Sequence, residues 1–278
     1  PPPGYAETYD PGYQGDQLIT PEYAPWTKYY TERELKHIQA LYAGMITHVD
    51  KWFGYFMSEM EKLGILENTM IIVSTDHGTY TGDHGWTGKL GTYLYDCVTH
   101  IPALILYPGV KPRRENALIQ NTDIAPTVCD ALAAPASPMH GKSLLPLLRG
   151  ETRCLHEYCH SGFFGRQHII NSGRYALHLG HDQAEPLYWY GLAPSLFVGA
   201  GPLGPVENGR RQVDTSGFFE TNHSYPANPA LFDLETDPDQ KNNIFGSEKS
   251  VVKNMYAELE NFCRRINAPE EYLKRLNR

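Results

Sequence analysis

Asp76, His77, His84 and Lys89 fall in one short stretch that reads Thr75-Asp76-His77-Gly78, then Gly82-Asp83-His84-Gly85, then Gly88-Lys89. An aspartate offers a hard oxygen ligand, an imidazole offers a nitrogen ligand, and a lysine offers a compact positive charge for an anionic oxygen. Asp76 and His77 are therefore candidate ligands of a divalent metal, and Lys89 is a candidate anion-binding group. His84 is a candidate leaving-group acid or a partner of the first three. Asp83 reads as a turn residue. Glycines at 78, 82, 85, 88 and 91 would let the backbone approach a ligand closely. The chemistry these types point to is metal-dependent work on a phosphate- or sulfate-like group.

Such a loop needs rigid elements on both sides. Ahead of it, Thr69-Met70-Ile71-Ile72-Val73-Ser74 is short, apolar and β-branched, which predicts a buried strand. An Asp-His pair at the carboxyl end of such a strand sits where open α/β sheets bind ligands. Upstream, Thr31 with Glu34 three residues on forms a capping box, and apolar residues follow at 35, 38, 42, 45, 49, 52 and 56. With Gly64 as the stop, residues 31–63 are expected to form one amphipathic helix packed on the sheet. A second strand is expected within residues 100–107, and short helices after Asp123 and near Ser143. Residues 154–159, 167–171 and 174–179 are expected to be strands, the last two joined as a hairpin across Ser172-Gly173. Residues 1–30 read as an irregular loop, and residues 186–229 as a long aromatic-rich one. A closing helix is expected over residues 247–266.

The order of these segments resembles the sulfatase family, within the alkaline-phosphatase-like superfamily and close to its phosphonate monoester hydrolases. Asp76-His77-Gly78, the Gly-x-His-Gly element at 82–85 and Lys89 resemble the family's signature loop. The Tyr42 to Asp50 helix, Ile101-Pro102-Ala103-Leu104-Ile105, Asn121-Thr122-Asp123-Ile124-Ala125-Pro126-Thr127, Gly141-Lys142-Ser143-Leu144 and Leu231-Phe232-Asp233-Leu234 resemble further family segments in the family's order. The resemblance implies an α/β fold: part of an alkaline-phosphatase-like sandwich with a mostly parallel central sheet, plus a smaller α+β subdomain with an antiparallel sheet. It places the catalytic-domain sequence at 1–150 and the subdomain, with its aromatic loop and terminal helix, at 151–278.

The resemblance also implies an activity: metal-dependent hydrolysis of sulfate esters, with phosphonate or phosphate monoesters as the alternative. Asp76 and His77 would be metal ligands, Lys89 a catalytic and substrate-binding cation, and His84 a catalytic assistant. Calcium is the metal it favours, and the histidine ligand keeps manganese and zinc open. The family's nucleophile is a formylglycine made from a Cys/Ser-x-Pro-Ser-Arg motif, which is absent here. Pro1-Pro2-Pro3-Gly4-Tyr5 resembles the region after a substrate-binding His-x-Pro element. The expectation is thus a C-terminal portion whose nucleophile and acidic metal ligands lie in an N-terminal half. On its own the chain would be an inactive structural or binding piece. The substrate would be a small-molecule or carbohydrate sulfate ester, with the aromatic residues between 188 and 225 as candidate contacts.

Composition narrows the field. Formal net charge is −8 and no basic run stands out, which argues against a nucleic-acid surface. No apolar stretch reaches the length of a membrane span. Five cysteines show no metal-knuckle spacing. The compartment is left undecided. Two rival motifs remain. His156-Glu157-Tyr158-Cys159-His160 matches the His-Glu-x-x-His pattern of zinc proteases, whose chemistry needs both histidines on one helix face. Cys159 through Arg166 hints at a cysteine-phosphatase loop, but holds six intervening residues where that loop needs five.

Overall fold

Thr31 and Glu34 satisfy each other's backbone as the sequence predicts. The Thr31 hydroxyl accepts from the Glu34 amide at 3.3 Å, and the Glu34 carboxylate accepts from the Thr31 amide at 2.7 Å. Helix α1 then runs Glu32–Lys62, and Gly64 at φ +66° ends it. The computed structural model describes residues 1–16, 21–89, 93–135, 138–182, 184–189, 210–213 and 228–276. The chain divides into two compact units, Pro1–Gly91 with Cys97–Arg113, and Thr92–Asp96 with Arg114–Arg278.

In the first unit, β1 (Ala24–Pro25) precedes α1, and β2 (Ile71–Val73), β3 (Tyr80–Thr81), β4 (Trp86–Gly88) and β5 (Leu104–Leu106) follow it. β1, β4 and β3 form one three-stranded sheet with β4 in the middle, and β2 pairs with β5 alone. The irregular start is anchored to α1 by Asp10, a buried carboxylate that accepts from Arg33 Nη1 at 2.6 Å and contacts His37 Nδ1 at 3.1 Å. The Arg33 hydrogen bond outweighs burial and holds the Asp10 carboxyl below its usual range. Gly44 lets the same segment lie close: a Cβ there would stand 2.9 Å from the Ala6 amide nitrogen.

One expectation about α1 is not met within this chain. The helix buries His37, Ile38, Ala40, Gly44 and Met60. Its apolar stripe at Tyr42, Met45, Val49, Trp52 and Phe56 is exposed, so no sheet among the described residues covers it. The strand pairs among the described residues are antiparallel, including β2 with β5. The parallel pairs of a mostly parallel central sheet are not among them.

After the short helix α2 (Asp96–Thr99) come α3 (Ile124–Ala131) and α4 (Leu145–Leu148), where the sequence places helices. The second unit then builds β6 (Cys159–Phe163), β7 (Gln167–Asn171), β8 (Tyr175–Gly180), the short pair β9 (Tyr188–Trp189) and β10 (Arg211–Gln212), and β11 (Ala230–Asp233). β6, β7, β8 and β11 make an antiparallel sheet in the order β11-β8-β7-β6. β7 and β8 form the expected hairpin, with Gly173 at φ +86° in its turn. Ile170, Leu177, Leu179 and Leu231 from this sheet pack with Met255, Leu259 and Cys263 of α5 (Lys249–Arg265) in one core. Helix α6 (Glu270–Arg275) closes the described chain.

The strand expected at residues 154–159 lies later, at β6. Residues 154–158 make only a single bridge, Leu118 with His156. The physical reason is that His156 turns to the fully buried Asp123 carboxylate, 2.9 Å away, which a continuous strand pairing would not require. Most of the aromatic stretch between 188 and 225 lies outside the described residues. No helix among the described residues is long and apolar enough to cross a membrane.

Candidate functional site

The interval between Asp76 and Lys89 is that of a small hairpin. The chain leaves β2 through Ser74 and Thr75, passes Asp76, His77 and Gly78, and goes out along β3. It turns at Gly82–Gly85 and returns along β4. Tyr80 faces Gly88 and Thr81 faces Thr87 across the ladder. That register brings Lys89 back beside the strand end it left, and Thr79 Oγ1 donates to the Gly88 carbonyl at 2.9 Å. Asp83 is a turn residue as expected: its Oδ2 accepts from the Thr81 amide at 3.0 Å. Two outside elements hold the hairpin. Gln39 of α1 donates to the Thr81 carbonyl at 2.8 Å, and Thr87 donates to the Glu22 carbonyl at 2.7 Å where β1 joins β4.

Three of the four candidate side chains meet. Lys89 Nζ lies 2.7 Å from His77 Nε2, and Asp76 Oδ2 lies 3.3 Å from the same nitrogen. His77 Nδ1 is 2.7 Å from the Gly78 carbonyl, which can only accept. Assigning the ring proton to Nδ1 on that ground leaves a lone pair on Nε2, and Lys89 donates to it. Asp76 is held from its other oxygen, which accepts from the His77 amide at 3.0 Å and from Thr75 Oγ1 at 3.3 Å. Desolvation pushes the Asp76 carboxyl up, but its electrostatic interaction with the His77 ring and these hydrogen bonds together prevail, so its pKa is lowered. Asp76 is thus an exposed, ionised carboxylate beside an imidazole lone pair. His84, the fourth candidate, sits in the turn with left-handed backbone at φ 51°, a conformation that costs a non-glycine residue energy.

Two of the glycines make room for protein rather than for a ligand. A Cβ on Gly78 would meet the Cys97 carbonyl oxygen at 2.0 Å, in a place where the Gly78 amide donates to the Val98 carbonyl at 2.8 Å. A Cβ on Gly88 would stand 2.1 Å from the Tyr23 ring, and Gly88 also has φ +85°. Tyr23 and β1 are parts of this site that sequence reasoning missed. They pair with β4 from more than sixty residues away, and nothing in Glu22-Tyr23-Ala24-Pro25 announces that partner.

Among the described residues no group of three or more His, Cys, Asp and Glu side chains could hold a metal ion. Asp76 and His77 together offer two donors. The His-Glu-x-x-His segment does not make a rival centre. It is not helical: His156 is bound to Asp123, while His160 lies on β6, stacked 3.7 Å from the Phe262 ring and 3.1 Å from His168 Nε2. The zinc-protease reading fails on that geometry. Burial pushes the Cys159 thiol up to about 12, so it is no thiolate nucleophile either. A groove along α5, lined by Phe245, Lys249, Val252 and Tyr256, contains none of the four candidates.

Residues 1–134 match the sulfatase family model. The chain is similar to arylsulfatase K of Bos taurus, at 27% identity over 87% of this chain and 39% of that protein. It is also similar to an N-acetylglucosamine-6-O-sulfatase of Bacteroides thetaiotaomicron, at 30% identity over 77% of this chain and 39% of that protein. The chain therefore spans about two fifths of the length of these curated relatives. In fold it resembles the phosphonate monoester hydrolase of Agrobacterium radiobacter, with a TM-score of 0.62 at 23% identity, covering 85% of this chain and 43% of that one. The architecture is α/β with an antiparallel sheet in its second unit.

Proposed function

We propose that this chain, which belongs to the sulfatase family, supplies the Asp-His and lysine side of an active site that hydrolyses sulfate esters. The observation that carries the reading is the meeting of Asp76, His77 and Lys89 at the end of β2, within 3.3 Å of one imidazole nitrogen. An ionised oxygen donor beside an imidazole lone pair fits a divalent cation, and an ammonium within reach of the same point fits its anionic substrate. Asp76 and His77 would hold the metal. We assign calcium first, on the hard carboxylate, with manganese and zinc as alternatives because of His77. When bound, such a cation polarises the ester oxygens and lowers the pKa of the attacking group.

The chain's own residues do the rest of the argued work. His77, fixed through Nδ1 by the Gly78 carbonyl, keeps Nε2 aimed at the site. Lys89 now donates to that lone pair. In the loaded site it gives up this bond and presents its ammonium to a sulfate oxygen or the bridging oxygen. A cation so placed is worth about 2 to 4 kcal/mol in the transition state. His84, at the turn of the same hairpin, is the proposed proton donor to the leaving group.

The remaining parts are proposed from family membership. A formylglycine nucleophile and further acidic ligands would come from N-terminal sequence of the same protein, and the strands seen here would join a mostly parallel central sheet. In that scheme residues 1–150 are catalytic-domain sequence and 151–278 are the subdomain. The similarity to a sulfatase named for N-acetylglucosamine 6-sulfate favours a sulfated carbohydrate as substrate. The fold shared with a phosphonate monoester hydrolase keeps phosphonate and phosphate monoesters as the second reading.

The test is Asp76→Ala in the product of the complete coding sequence, followed by metal analysis and turnover of sulfate and phosphonate esters. Loss of both in a folded variant is expected. Normal metal content would end the assignment of Asp76. A turnover preference for phosphonates would select the second reading.

A further inference from the structure

His84 is exposed at the tip of the hairpin. Gly82, His84 and Gly85 have φ of 112°, 51° and 79°, so most of this turn lies in the left-handed region that favours glycine. A glycine at 84 would hold that backbone without strain. The histidine holds it at a cost, and in doing so places an imidazole at the tip. Such a turn needs fixing from outside. Helix α1 does this with two side chains one helical turn apart, Leu35 and Gln39. Leu35 lies against Gly82, where a Cβ would stand 3.0 and 3.2 Å from its two methyl carbons. Gln39 Nε2 donates to the Thr81 carbonyl at 2.8 Å. The Thr81 amide and hydroxyl donate in turn to Asp83 Oδ2, at 3.0 and 3.3 Å, and Asp83 is the residue before His84. Rotation at Thr81 is thereby passed on to His84.

We infer, building on the reading of His84 as the proton donor, that Gln39 is a positioning residue for it, with Leu35 as the floor of the turn. Leu35 sets how deep Gly82 sits, and Gln39 sets the rotation of the peptide that follows Thr81. In the reaction the hydroxyl nucleophile bonds to sulfur as the bond from sulfur to the bridging oxygen breaks. The electron pair of that bond passes to the bridging oxygen, which takes the His84 ring proton. An alkoxide leaving group needs this proton, whereas a nitrophenolate carries its own charge and departs without it. Asp76, His77 and Lys89 are held by other bonds, His77 Nδ1 to the Gly78 carbonyl and Thr79 Oγ1 to the Gly88 carbonyl. A tip released from Gln39 should therefore lose proton delivery while anion binding at the base of the hairpin persists.

The experiment is Gln39→Met in the product of the complete coding sequence, a change that removes the donor and keeps length and helix propensity. Two esters are compared, N-acetylglucosamine 6-sulfate and 4-nitrophenyl sulfate. The expected result is a fall of about tenfold in kcat for the sugar sulfate, with kcat for the nitrophenyl ester and both KM values within about twofold of the parent. Gln39→Lys, which restores a donor, should recover most of the loss. In a His84→Ala background the same Gln39→Met change should cost less than about twofold. An equal loss on both esters, or an undiminished loss in His84→Ala, overturns the inference, because Gln39 would then act on the fold or on Lys89. Should neither ester turn over in the parent, the functional reading falls, and hydrogen exchange at the Gly85 amide, bonded to the Gly82 carbonyl at 3.0 Å, decides the rest. Exchange at least fivefold faster in Gln39→Met would leave the positioning of the turn standing, and equal exchange would overturn that too.

Discussion

Lys89 Nζ and His77 Nε2 are 2.7 Å apart, and the imidazole nitrogen that would ligate a metal is the acceptor of the lysine's hydrogen bond. One lone pair thus has two claimants. Metal affinity and lysine position are coupled through it, and Lys89→Met should leave the metal with no competitor. We expect this variant of the complete product to retain metal at least as tightly as the parent and to lose about 10²- to 10³-fold in turnover. Titration with calcium and manganese, beside kcat for a sulfate ester, checks both halves. A weaker metal affinity in Lys89→Met would break the proposed competition.

The isolated 278-residue chain should hydrolyse no sulfate or phosphate ester, because no formylglycine precursor motif lies within it. Assay of the purified chain with an aryl sulfate and an aryl phosphate checks this. Turnover above buffer would require a nucleophile among the residues present, and would discard the division of labour proposed above.

Gly78 should tolerate no side chain. Its Cβ position lies 2.0 Å from the Cys97 carbonyl oxygen, and backbone on both sides leaves no flexible atom to yield. Gly78→Ala is expected to cost about 1 to 3 kcal/mol and to displace Asp76 and His77 from each other. Urea unfolding and metal titration together test it. Unchanged stability with unchanged metal binding would contradict the described approach of the two segments.

How far the sequence reaches depends on the range of the interaction that decides each feature. The capping box at Thr31 and Glu34, the stop at Gly64 and the β7–β8 turn at Gly173 are settled within three or four residues, and they lie where reading them places them. The convergence of Asp76, His77 and Lys89 also follows from a local hairpin. Features decided at long range were not legible. The Tyr23 ring on Gly88, the turning of His156 to Asp123 and the shift of the strand to β6 all depend on partners tens of residues away. Periodicity on α1 marked which residues are apolar. It could not say whether anything within this chain would bury them.

His156 gives a test of the second unit. It is the imidazole partner of Asp123, whose carboxylate is otherwise bonded to the Gln120 and Lys142 amides. His156→Ala would leave that buried carboxylate short of one partner, at a cost of about 1 to 3 kcal/mol. Zinc should not bind at this segment in either form. A zinc-dependent rise in the melting temperature that His156→Ala removes would reinstate the metal reading of the motif.

Acid should loosen the second unit, for a reason visible in its packing. His160, His168 and His181 are each pushed down to about 3, chiefly by burial, with the repulsion each proton would meet from a neighbouring imidazole proton or from Arg265 or Arg275 adding to it. His160 Nδ1 lies 3.1 Å from His168 Nε2, and His168 Nδ1 lies 2.6 Å from the Tyr272 hydroxyl on α6. Glu258 lies 4.0 Å from His160 Nε2, and Arg265 and Arg275 oppose protonation. The unfolded chain takes up these protons near pH 6.5, the folded chain only near 3. Stability from the neutral histidines is therefore complete above about pH 6.5 and declines as pH falls towards 3. By pH 4.5 the loss is about 2 to 3 kcal/mol for the first histidine, at 1.36 kcal/mol per pH unit. Urea midpoints of the second unit's unfolding from pH 7.5 to 4.5 should fall accordingly. The slope should flatten in His181→Gln, which removes one titrating ring. A midpoint constant over that range would mean the three histidines do not stay neutral in the folded unit.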